Sequence, residues 1–550
     1  MRKTVFLYLL LFVANITFAA GNNIPNNRTF RISKNIAVFN AVLRELDLNY
    51  VDTLNYDKIV KTAIDQMLDK LDPYTVYMPE EETDDLTFMT TGEYGGIGAL
   101  IVKTPEGVCV SEPYEGMPAQ RNDVRAGDLI LSVDGVDVIK MDVSAVSARL
   151  KGTPNTQIKL KLKRIGENRP VEKVFLREKI QINPIHYSAA IDDKTGYVLI
   201  GEFTDRTASE FKSAVNDLVK NNKIESLVID LRNNGGGLID EAVKIAGFFV
   251  PKGTEIVKTK GKKEEDSRSY KTTYEPVFGQ LNVVVLVNSG TASASEILAG
   301  ALQDLDRAVI IGERTFGKGL VQNIRPVGYG GHLKVTTAKY YIPSGRCVQA
   351  IDYSHRNEDG SVGHVPDSLT SEFKTQNGRK VRDGGGILPD KVITDERKLN
   401  IAYYIFAQNL YFEYANQFCS QHSSIAKPAE FQLSDVDYAD FREFLKKKNF
   451  KYNSQTQKYF DDLLEVAGYE GLDKEAKAEF DALKTKLAPD VDRNLELCKE
   501  DVSELLSLEL IRRYYFQKGE IEYTFRTDKE LKQALEILKD KKIYKQILNL

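Results

Sequence analysis

Two strand-turn-helix units dominate the middle of this 550-residue chain. In the first, the apolar run 227–231 leads into the segment 232–237, Arg-Asn-Asn-Gly-Gly-Gly, and helix-spaced apolar residues follow. In the second, the apolar run 283–287 leads into the turn 288–293 and then into another apolar helix face. Two neighbouring units of this kind predict an α/β sheet with a cleft where the two turns meet.

Length and composition limit the class of protein. A chain of 550 residues exceeds what one hydrophobic core usually fills, so several domains are expected. The 75 basic and 79 acidic residues leave a net charge of -4, which does not favour a nucleic acid or an anionic membrane surface as partner. The four cysteines are far apart, which excludes a disulfide scaffold, leaves a single bridge open and indicates no metal site.

The N-terminus has the pattern of a secretory signal peptide. Arg2 and Lys3 precede an uncharged apolar run at 5–13, and small residues follow at Thr17, Ala19 and Ala20. The alternative is an uncleaved membrane anchor, but the run is shorter than the roughly 20 residues that span a bilayer. We therefore predict a cleaved signal peptide at 1–20 and a periplasmic or otherwise extracytoplasmic mature protein.

Two smaller regions follow the signal peptide. Residues 27–89 repeat apolar side chains at helical spacing and predict an N-terminal helical segment. Residues 90–178 contain short strands, an Asp134-Gly135 turn and one amphipathic helix at about 143–150. The strands and turns of residues 90–178 predict a small barrel.

The barrel begins with a glycine-rich segment placed directly before a strand. The backbone N–H groups of Gly96, Ile97 and Gly98 can form an anion-binding nest, and an edge strand after them can pair with an extended peptide. The alternative is a tight turn whose glycines only supply positive φ. The region resembles PDZ domains, which implies that these three residues bind the terminal carboxylate of a peptide.

Ser293 and the loop 232–237 each allow a functional and a structural interpretation. Ser293 opens an apolar helix, as a nucleophile can, but Ser293-Ala294-Ser295-Glu296 is also a capping box in which the hydroxyl satisfies a helix N–H. The glycine loop places N–H groups at a positive helix end, which suits an oxyanion, but such turns also serve close packing.

Lys318 stands between Gly317 and Gly319 and ahead of an apolar pair, which is an unusual place for an ammonium. Burial can lower a lysine pKa from about 10.4 by roughly 3 to 5 units, which makes a usable general base. The alternative is a surface lysine on a glycine-rich hairpin. The five histidines offer no competing base, because none stands in a recognised catalytic context: His186, His332, His355, His364 and His422.

The segments 291–296, 299–304 and 312–322 closely resemble the carboxyl-terminal processing proteases, serine peptidase family S41, and the likeness extends over about 94–352. Lys318 follows Ser293 by 25 positions, which is the family's spacing. The resemblance implies that Ser293 is the nucleophile and Lys318 the base, whereas Ser289 and Ser295 are not. It also implies a structural or supportive role for Asp304, and a role for Gln322 in orienting the lysine.

The resemblance also implies a fold and a mechanism. We expect a multidomain α/β protein with a ClpP/crotonase-like protease core at 180–390, an inserted PDZ domain, N-terminal helices and a C-terminal helical extension. The oxyanion would be held by N–H groups of Gly236 or Gly237 and Ala294, without a cofactor or metal. The substrates would be proteins or peptides with a free C-terminus.

Two other functional classes remain open at this stage. The chain could be a catalytically silent peptide-binding scaffold in which the PDZ-like region acts and Ser293 only caps its helix. It could also be a ClpP or crotonase-like enzyme acting on a thioester, although the sequence contains no signature of a coenzyme A pocket.

The remaining C-terminal part divides into a polar loop and helices. Residues 354–378 are polar and predict a long loop within the core. Residues 391–550 are helical and charged, and they resemble the longer extension of Bacteroidetes-type members. Docking, dimerisation and substrate positioning all remain open for this extension, and dimerisation would join two copies through the helical N- and C-terminal regions.

Overall fold

The computed structural model describes residues 28–82, 88–353, 361–363, 365–394 and 400–550. The predicted signal peptide at 1–20 lies outside these ranges. The chain divides into two compact units, Met1–Pro73 and Tyr74–Leu550.

The first unit contains two described helices, α1 (Arg28–Asn49) and α2 (Tyr56–Leu68). Asn55 caps α2, because its side chain accepts the N–H of Lys58. Helix α1 has no buried residue. Its large apolar side chains are therefore exposed, among them Phe30, Ile32, Ile36, Val38, Phe39, Val42 and Leu48.

The second unit begins with a strand where a helix was predicted. Residues Val76–Met78 form β1, which pairs antiparallel with a later strand, β18 (Gly331–Tyr341). The prediction of a helical segment extending to residue 89 is wrong at this point. The helical spacing ends before these three residues, two of which, Val76 and Tyr77, favour strands, and β18 supplies the strand with which they pair.

The barrel predicted at 90–178 is built from eight strands and two short helices. Its main sheet has the order β3-β4-β5-β7-β8, with β6 paired to β5, while β2 pairs with β9. The Asp134-Gly135 turn has φ values of 50° and 82°, as a type I′ hairpin requires. The elements are β2 (Glu93–Gly96), β3 (Ala99–Thr104), β4 (Gly107–Pro113), α3 (Pro118–Arg121), β5 (Leu129–Val133), β6 (Val136–Asp137), α4 (Val143–Leu150), β7 (Gln157–Lys163), β8 (Val171–Leu176) and β9 (Glu178–Gln181).

A six-stranded sheet forms the core, in the order β10-β11-β12-β15-β16-β21. All pairs are parallel except β10 with β11. The two predicted units are the neighbours β12 with α6 and β15 with α7, so their turns meet at one edge of the sheet. The elements are β10 (Ile185–Ala190), β11 (Thr195–Ile200), α5 (Thr207–Asp217), β12 (Ser226–Asp230), α6 (Ile239–Gly247), β15 (Asn282–Val287), α7 (Ala294–Asp304), β16 (Ala308–Gly312) and β21 (Lys391–Val392).

A second sheet flanks the core and carries the chain on both sides of Lys318. Its order is β1-β18-β13-β14, with β17 also paired to β18. The remaining strands are β13 (Glu255–Gly261), β14 (Arg268–Lys271) and β17 (Leu320–Gly328).

Part of the predicted polar loop forms a hairpin. Strands β19 (Glu372–Lys374) and β20 (Lys380–Arg382) pair antiparallel within and just after the stretch predicted as a loop. The prediction of a long loop through residue 378 is wrong there. The hairpin turn is held against the end of α7, since the N–H of Gln376 donates to the carbonyl of Asp304.

The described part of the C-terminal extension from residue 400 onward contains ten helices, and the last two cover the core sheet. Alternate strand residues divide between the sheet's two faces: Leu227 packs among α5, α6 and α7, whereas Val228 packs against α16 and α17. The hydroxyl of Tyr544 accepts the N–H of Val283 at 2.9 Å. The helices are α8 (Ile401–Ala407), α9 (Leu410–Gln421), α10 (Asp435–Lys447), α11 (Gln455–Glu470), α12 (Leu472–Glu475), α13 (Lys477–Leu487), α14 (Val491–Leu497), α15 (Lys499–Thr524), α16 (Lys529–Lys539) and α17 (Lys541–Ile547).

Three features are absent from the part of the chain that the structure describes. All four cysteines lie in it, and none forms a disulfide. No group of three or more His, Cys, Asp and Glu side chains there could hold a metal ion. None of the helices in the described ranges combines the length and the apolar character that a bilayer span needs.

Candidate active site

Ser293 lies on a strained turn between β15 and α7. Its backbone angles are φ 59° and ψ -117°, which a residue other than glycine adopts only where the surroundings enforce it. The preceding N–H, that of Ala292, donates to the carbonyl of Asn234 at 2.9 Å and so ties the turn to the glycine loop. A half-buried serine on a strained strand-to-helix turn has the backbone setting of a nucleophile.

The carboxylate of Glu296 joins the turn of Ser293 to the segment of Lys318. Oε2 accepts the N–H of Ser293 at 2.9 Å and the N–H of Lys318 at 2.8 Å. Oε1 accepts the hydroxyl of Thr315 at 2.6 Å and the N–H of Gly317 at 2.8 Å. Since one oxygen bonds both N–H groups, the backbone nitrogens of Ser293 and Lys318 lie within about 6 Å of each other.

Glu296 is fully buried, and its environment acts on its pKa in two directions. Burial raises the pKa of the carboxyl, and the hydrogen bonds from Thr315 and the three backbone N–H groups lower it. Three of the four donors are amides that can only donate. The site therefore needs two acceptor oxygens at this position.

Lys318 is half-buried in an extended segment, and the two glycines beside it are required by close packing. A Cβ added to Gly317 would lie 2.3 Å from the Cβ of Ala350, and one added to Gly319 would lie 2.8 Å from the N of Gln349. The Nζ atom lies 4.4 Å from the centre of the Tyr74 ring, directly against its face. Lys318 therefore does not sit on a free surface hairpin.

Gln322 and Asp304 have partners of their own. The amide Nε2 of Gln322 donates to Oγ1 of Thr336 on the paired strand at 3.1 Å. Asp304 forms a buried ion pair with Arg346 at 2.8 Å, and it ends the helix that Ser293 begins. Eleven helical residues span about 16 Å, so the structure does not bring Asp304 to Ser293.

The glycine loop packs directly on the turn of Ser293. A Cβ added to Gly236 would lie 2.7 Å from the Cβ of Ser293 and 2.9 Å from the N of Ala294. The N–H of Gly236 itself donates to Oδ1 of Asn234 at 2.9 Å. Among the described residues, the N–H groups of Gly237 and Ala294 donate to no protein acceptor. These two are the predicted donors that remain available to an oxyanion.

The predicted peptide site lies at the open edge of the barrel. Strand β3 is the edge strand of its sheet, and its outer edge pairs with no strand of the described chain. It also contacts helix α4. Just before it, Gly98 has a φ of 73°, and a Cβ there would lie 2.6 Å from the Cβ of Met117. The side chain of Ile97 is buried. The glycine segment therefore both makes a tight turn and leads into an edge strand that a peptide can extend.

Several contacts of the site were not predicted from sequence. Glu296 was recognised only as part of a capping box, and its bond to Lys318 depends on a segment 22 residues away. Tyr74 lay in a stretch predicted to be helical. The ion pair between Arg232 and Asp528 joins residues 296 positions apart, and no local pattern signals it.

Three family descriptions match separate parts of the chain. "Peptidase family S41" matches 194–354, "PDZ domain" matches 109–164, and "Probable PDZ-protease, C-terminal helical domain" matches 401–538. The first covers the turn of Ser293 and the segment of Lys318. The multidomain α/β fold class predicted from sequence is thereby confirmed.

Curated relatives and a solved structure extend the comparison. A carboxy-terminal-processing protease of Bartonella bacilliformis is 34% identical over 353 residues, which are 64% of this chain and 81% of that protein. A probable CtpA-like serine protease of Staphylococcus aureus is 35% identical over 317 residues, 57% of this chain and 62% of that protein. The solved photosystem II D1 C-terminal processing protease is 30% identical, with 64% of this chain and 86% of that one covered and a TM-score of 0.36. The chain belongs to the carboxy-terminal-processing proteases of peptidase family S41 and carries a PDZ domain.

Proposed function

We propose that this protease cleaves peptide bonds by acyl transfer, with Ser293 as nucleophile and Lys318 as general base. Neutral Nζ of Lys318 takes the proton of the Ser293 hydroxyl, and Oγ attacks the peptide carbonyl carbon. The N–H groups of Gly237 and Ala294 stabilise the oxyanion. Lys318 then gives its proton to the leaving amine as the C–N bond breaks, and water hydrolyses the acyl-enzyme. No step uses a cofactor.

One observation supports this assignment above the others. A single buried oxygen, Oε2 of Glu296, accepts the backbone N–H of both residues, which holds the two backbones close together. The strained backbone of Ser293 adds to it, because such strain persists only where the fold enforces it. A serine that served only as a helix cap would not require that strain.

The presence of a PDZ domain is evidence that the substrates are peptides or proteins. We propose that this domain recognises their free C-termini through the segment of Gly96, Ile97 and Gly98. A terminal carboxylate would accept backbone N–H bonds there, and the peptide would pair with the open edge of β3. We further propose that the substrates are extracytoplasmic proteins, on the basis of the signal-peptide pattern at 1–20.

We also propose a homodimer through the helical N- and C-terminal regions. Helix α1 buries none of its residues although seven of its large apolar side chains are exposed. In the extension, α11 exposes Tyr459, Leu463, Val466 and Tyr469, which recur at helical spacing. Contiguous apolar faces of this kind mark interaction surfaces on soluble proteins. Sedimentation of the full chain would show a monomer mass if this proposal is wrong.

The test is degradation of an unfolded substrate by purified variants. Ser293→Ala and Lys318→Ala should each abolish cleavage while circular dichroism and thermal unfolding stay close to wild type. Ser289→Ala is the matched control, because Ser289 is exposed in the same turn and the change should leave cleavage unaffected. Full activity in either of the first two variants would refute the assignment and favour a silent peptide-binding scaffold.

A further inference from the structure

The glycine loop is anchored from outside the protease core, by the C-terminal extension. Arg232 begins the loop, and its Nη2 lies 2.7 Å from Oδ2 of Asp528, the N-cap residue of α16. The same guanidinium lies 3.5 Å from Glu530. The peptidase match ends at residue 354, so both carboxylates belong to a part of the chain to which no catalytic role is assigned.

Both residues of the ion pair make further hydrogen bonds, and the carboxylates that Arg232 contacts are largely buried. Arg232 also bonds Asp230, the last residue of β12, with both oxygens at 3.0 Å from Nε. The side chains of Asp230 and Asp528 are 2% and 6% exposed. Oδ1 of Asp528 accepts the N–H of Leu531 at 2.8 Å, so the carboxylate binds its own helix and the loop at once. Fully exposed salt bridges contribute little to the stability of a protein, because solvent screens them. The carboxylates of this pair are shielded from solvent.

A series of hydrogen bonds connects the glycine loop, which Arg232 anchors, to the turn of Ser293. Next to Arg232, the backbone N–H of Asn233 donates to Oδ1 of Asn288 at 2.9 Å, and Nδ2 of Asn288 donates to Oδ1 of Asn233 at 3.0 Å. The carbonyl of Asn234 then accepts the N–H of Ala292 at 2.9 Å and the hydroxyl of Ser295 at 3.0 Å. The loop and the nucleophile turn therefore form one hydrogen-bonded body.

A cavity of about 380 Å³ lies between the loop and the extension, beside the Arg232–Asp528 pair. Polar residues including Arg232, Asn233, Asn288 and Asp528 line it, together with the apolar side chains of Leu199 and Ile521. At the wall of this cavity the Arg232–Asp528 pair joins the loop directly to the extension.

We infer that Asp528 is a positioning residue, which acts through Arg232 to hold the glycine loop where its N–H groups meet the oxyanion. This inference rests on the proposed function. It also gives the extension a role in catalysis itself, because α16 delivers the carboxylate as it packs on the core sheet. Oxyanion donors stabilise a transition state only when held in place, so loosening the loop lowers kcat more than it weakens substrate binding.

The experiment compares two N-cap variants of the full-length protein. Asn caps helices about as well as Asp, so Asp528→Asn removes the charge opposite Arg232 and keeps the cap. Asp540→Asn is the matched control, because Asp540 caps α17 on the same sheet face through the N–H groups of Lys542 and Ile543. Cleavage of a peptide substrate gives kcat and KM, and thermal unfolding gives Tm.

We expect kcat of Asp528→Asn to fall about tenfold or more, with KM within about twofold and a Tm close to that of Asp540→Asn. Reaction of Ser293 with a fluorophosphonate should slow in parallel. The double variant Arg232→Gln/Asp528→Asn should be no slower than Arg232→Gln alone, because both changes remove the same interaction.

Two results would overturn the inference. One is equal kcat in Asp528→Asn and Asp540→Asn, and the other is additive losses in the double variant, which would separate Asp528 from Arg232. Failure of the proposed mechanism has a different signature. Ser293→Ala would then retain cleavage, whatever the result with Asp528.

Discussion

The backbone N–H of Lys318 donates to the buried carboxylate of Glu296 at 2.8 Å, from a segment 22 residues further along the chain. The same oxygen accepts the N–H of Ser293. Glu296 thus fixes the distance between two backbones whose side chains must exchange a proton in the proposed mechanism. The proposed catalytic pair is thus positioned through main-chain hydrogen bonds to the side chain of a third residue.

Replacing Glu296 by Gln should therefore impair catalysis and stability together. The amide has one acceptor oxygen where the site needs two, so at least one buried N–H loses its partner. We expect a loss of about 2 to 4 kcal/mol in the free energy of unfolding and at least about a 100-fold loss in kcat. Glu241→Gln is the control, because Glu241 is a buried carboxylate in the first turn of α6 that accepts the N–H of Ala208. It should lose stability but keep kcat per folded molecule. Equal kcat losses in both variants would contradict a positioning role.

Glycine should be required at position 236 and not at the neighbouring position 235. A Cβ at Gly236 would lie 2.7 Å from the Cβ of Ser293, and its φ of 101° disfavours any other residue. No atom lies within 4 Å of a Cβ added at Gly235. Gly236→Ala should lower kcat by at least about tenfold, whereas Gly235→Ala should stay within about twofold of wild type. Similar rates in the two variants would show that the loop does not need this close approach.

Asp304 should contribute to stability and not to chemistry. Its partner is Arg346, and the two side chains are 0% and 1% exposed. Removing one charge of a buried pair costs about 3 to 5 kcal/mol, because the other charge remains buried. Asp304→Asn should lower the free energy of unfolding by that order, and kcat per folded molecule should change by less than about twofold. A large kcat loss in fully folded protein would instead give Asp304 a supporting part in the reaction.

The rate should fall on the acid side. A protonated Lys318 cannot accept the proton of Ser293, so kcat/KM should rise with pH until the lysine is neutral and then level off. The measurement is kcat/KM between about pH 5 and about pH 9, with circular dichroism at each pH to show that the fold is retained. A flat profile over that range would exclude a titrating base.

Amidation of a substrate's C-terminus should weaken its binding. Amidation removes the charge that the N–H groups of the segment 96–98 would bind. A charge-assisted hydrogen bond is worth about 1.5 to 3 kcal/mol, so binding should weaken by about tenfold or more. The control is the same peptide with a free carboxylate, titrated against the full-length protein. Equal affinity for both peptides would remove the proposed role of this segment.

The sequence alone determined the features that depend on neighbours along the chain. Apolar runs of strand length became β12 and β15, and the amphipathic segment at 143–150 became α4. The Asp134-Gly135 turn followed from residue types that tolerate positive φ. The family itself followed from motifs and from the spacing between Ser293 and Lys318.

Only the tertiary structure decided the features that depend on distant partners. Strand β1 formed because β18 offered it hydrogen bonds, although it lies within the segment 27–89 that was predicted to be helical. The contact of Glu296 with Lys318 and that of Asp528 with Arg232 required the chain to close over 22 and 296 residues. Apolar periodicity and turn residues reflect interactions between residues that are close in sequence. The positions of these side chains depend instead on burial and hydrogen bonding between segments that are far apart in sequence.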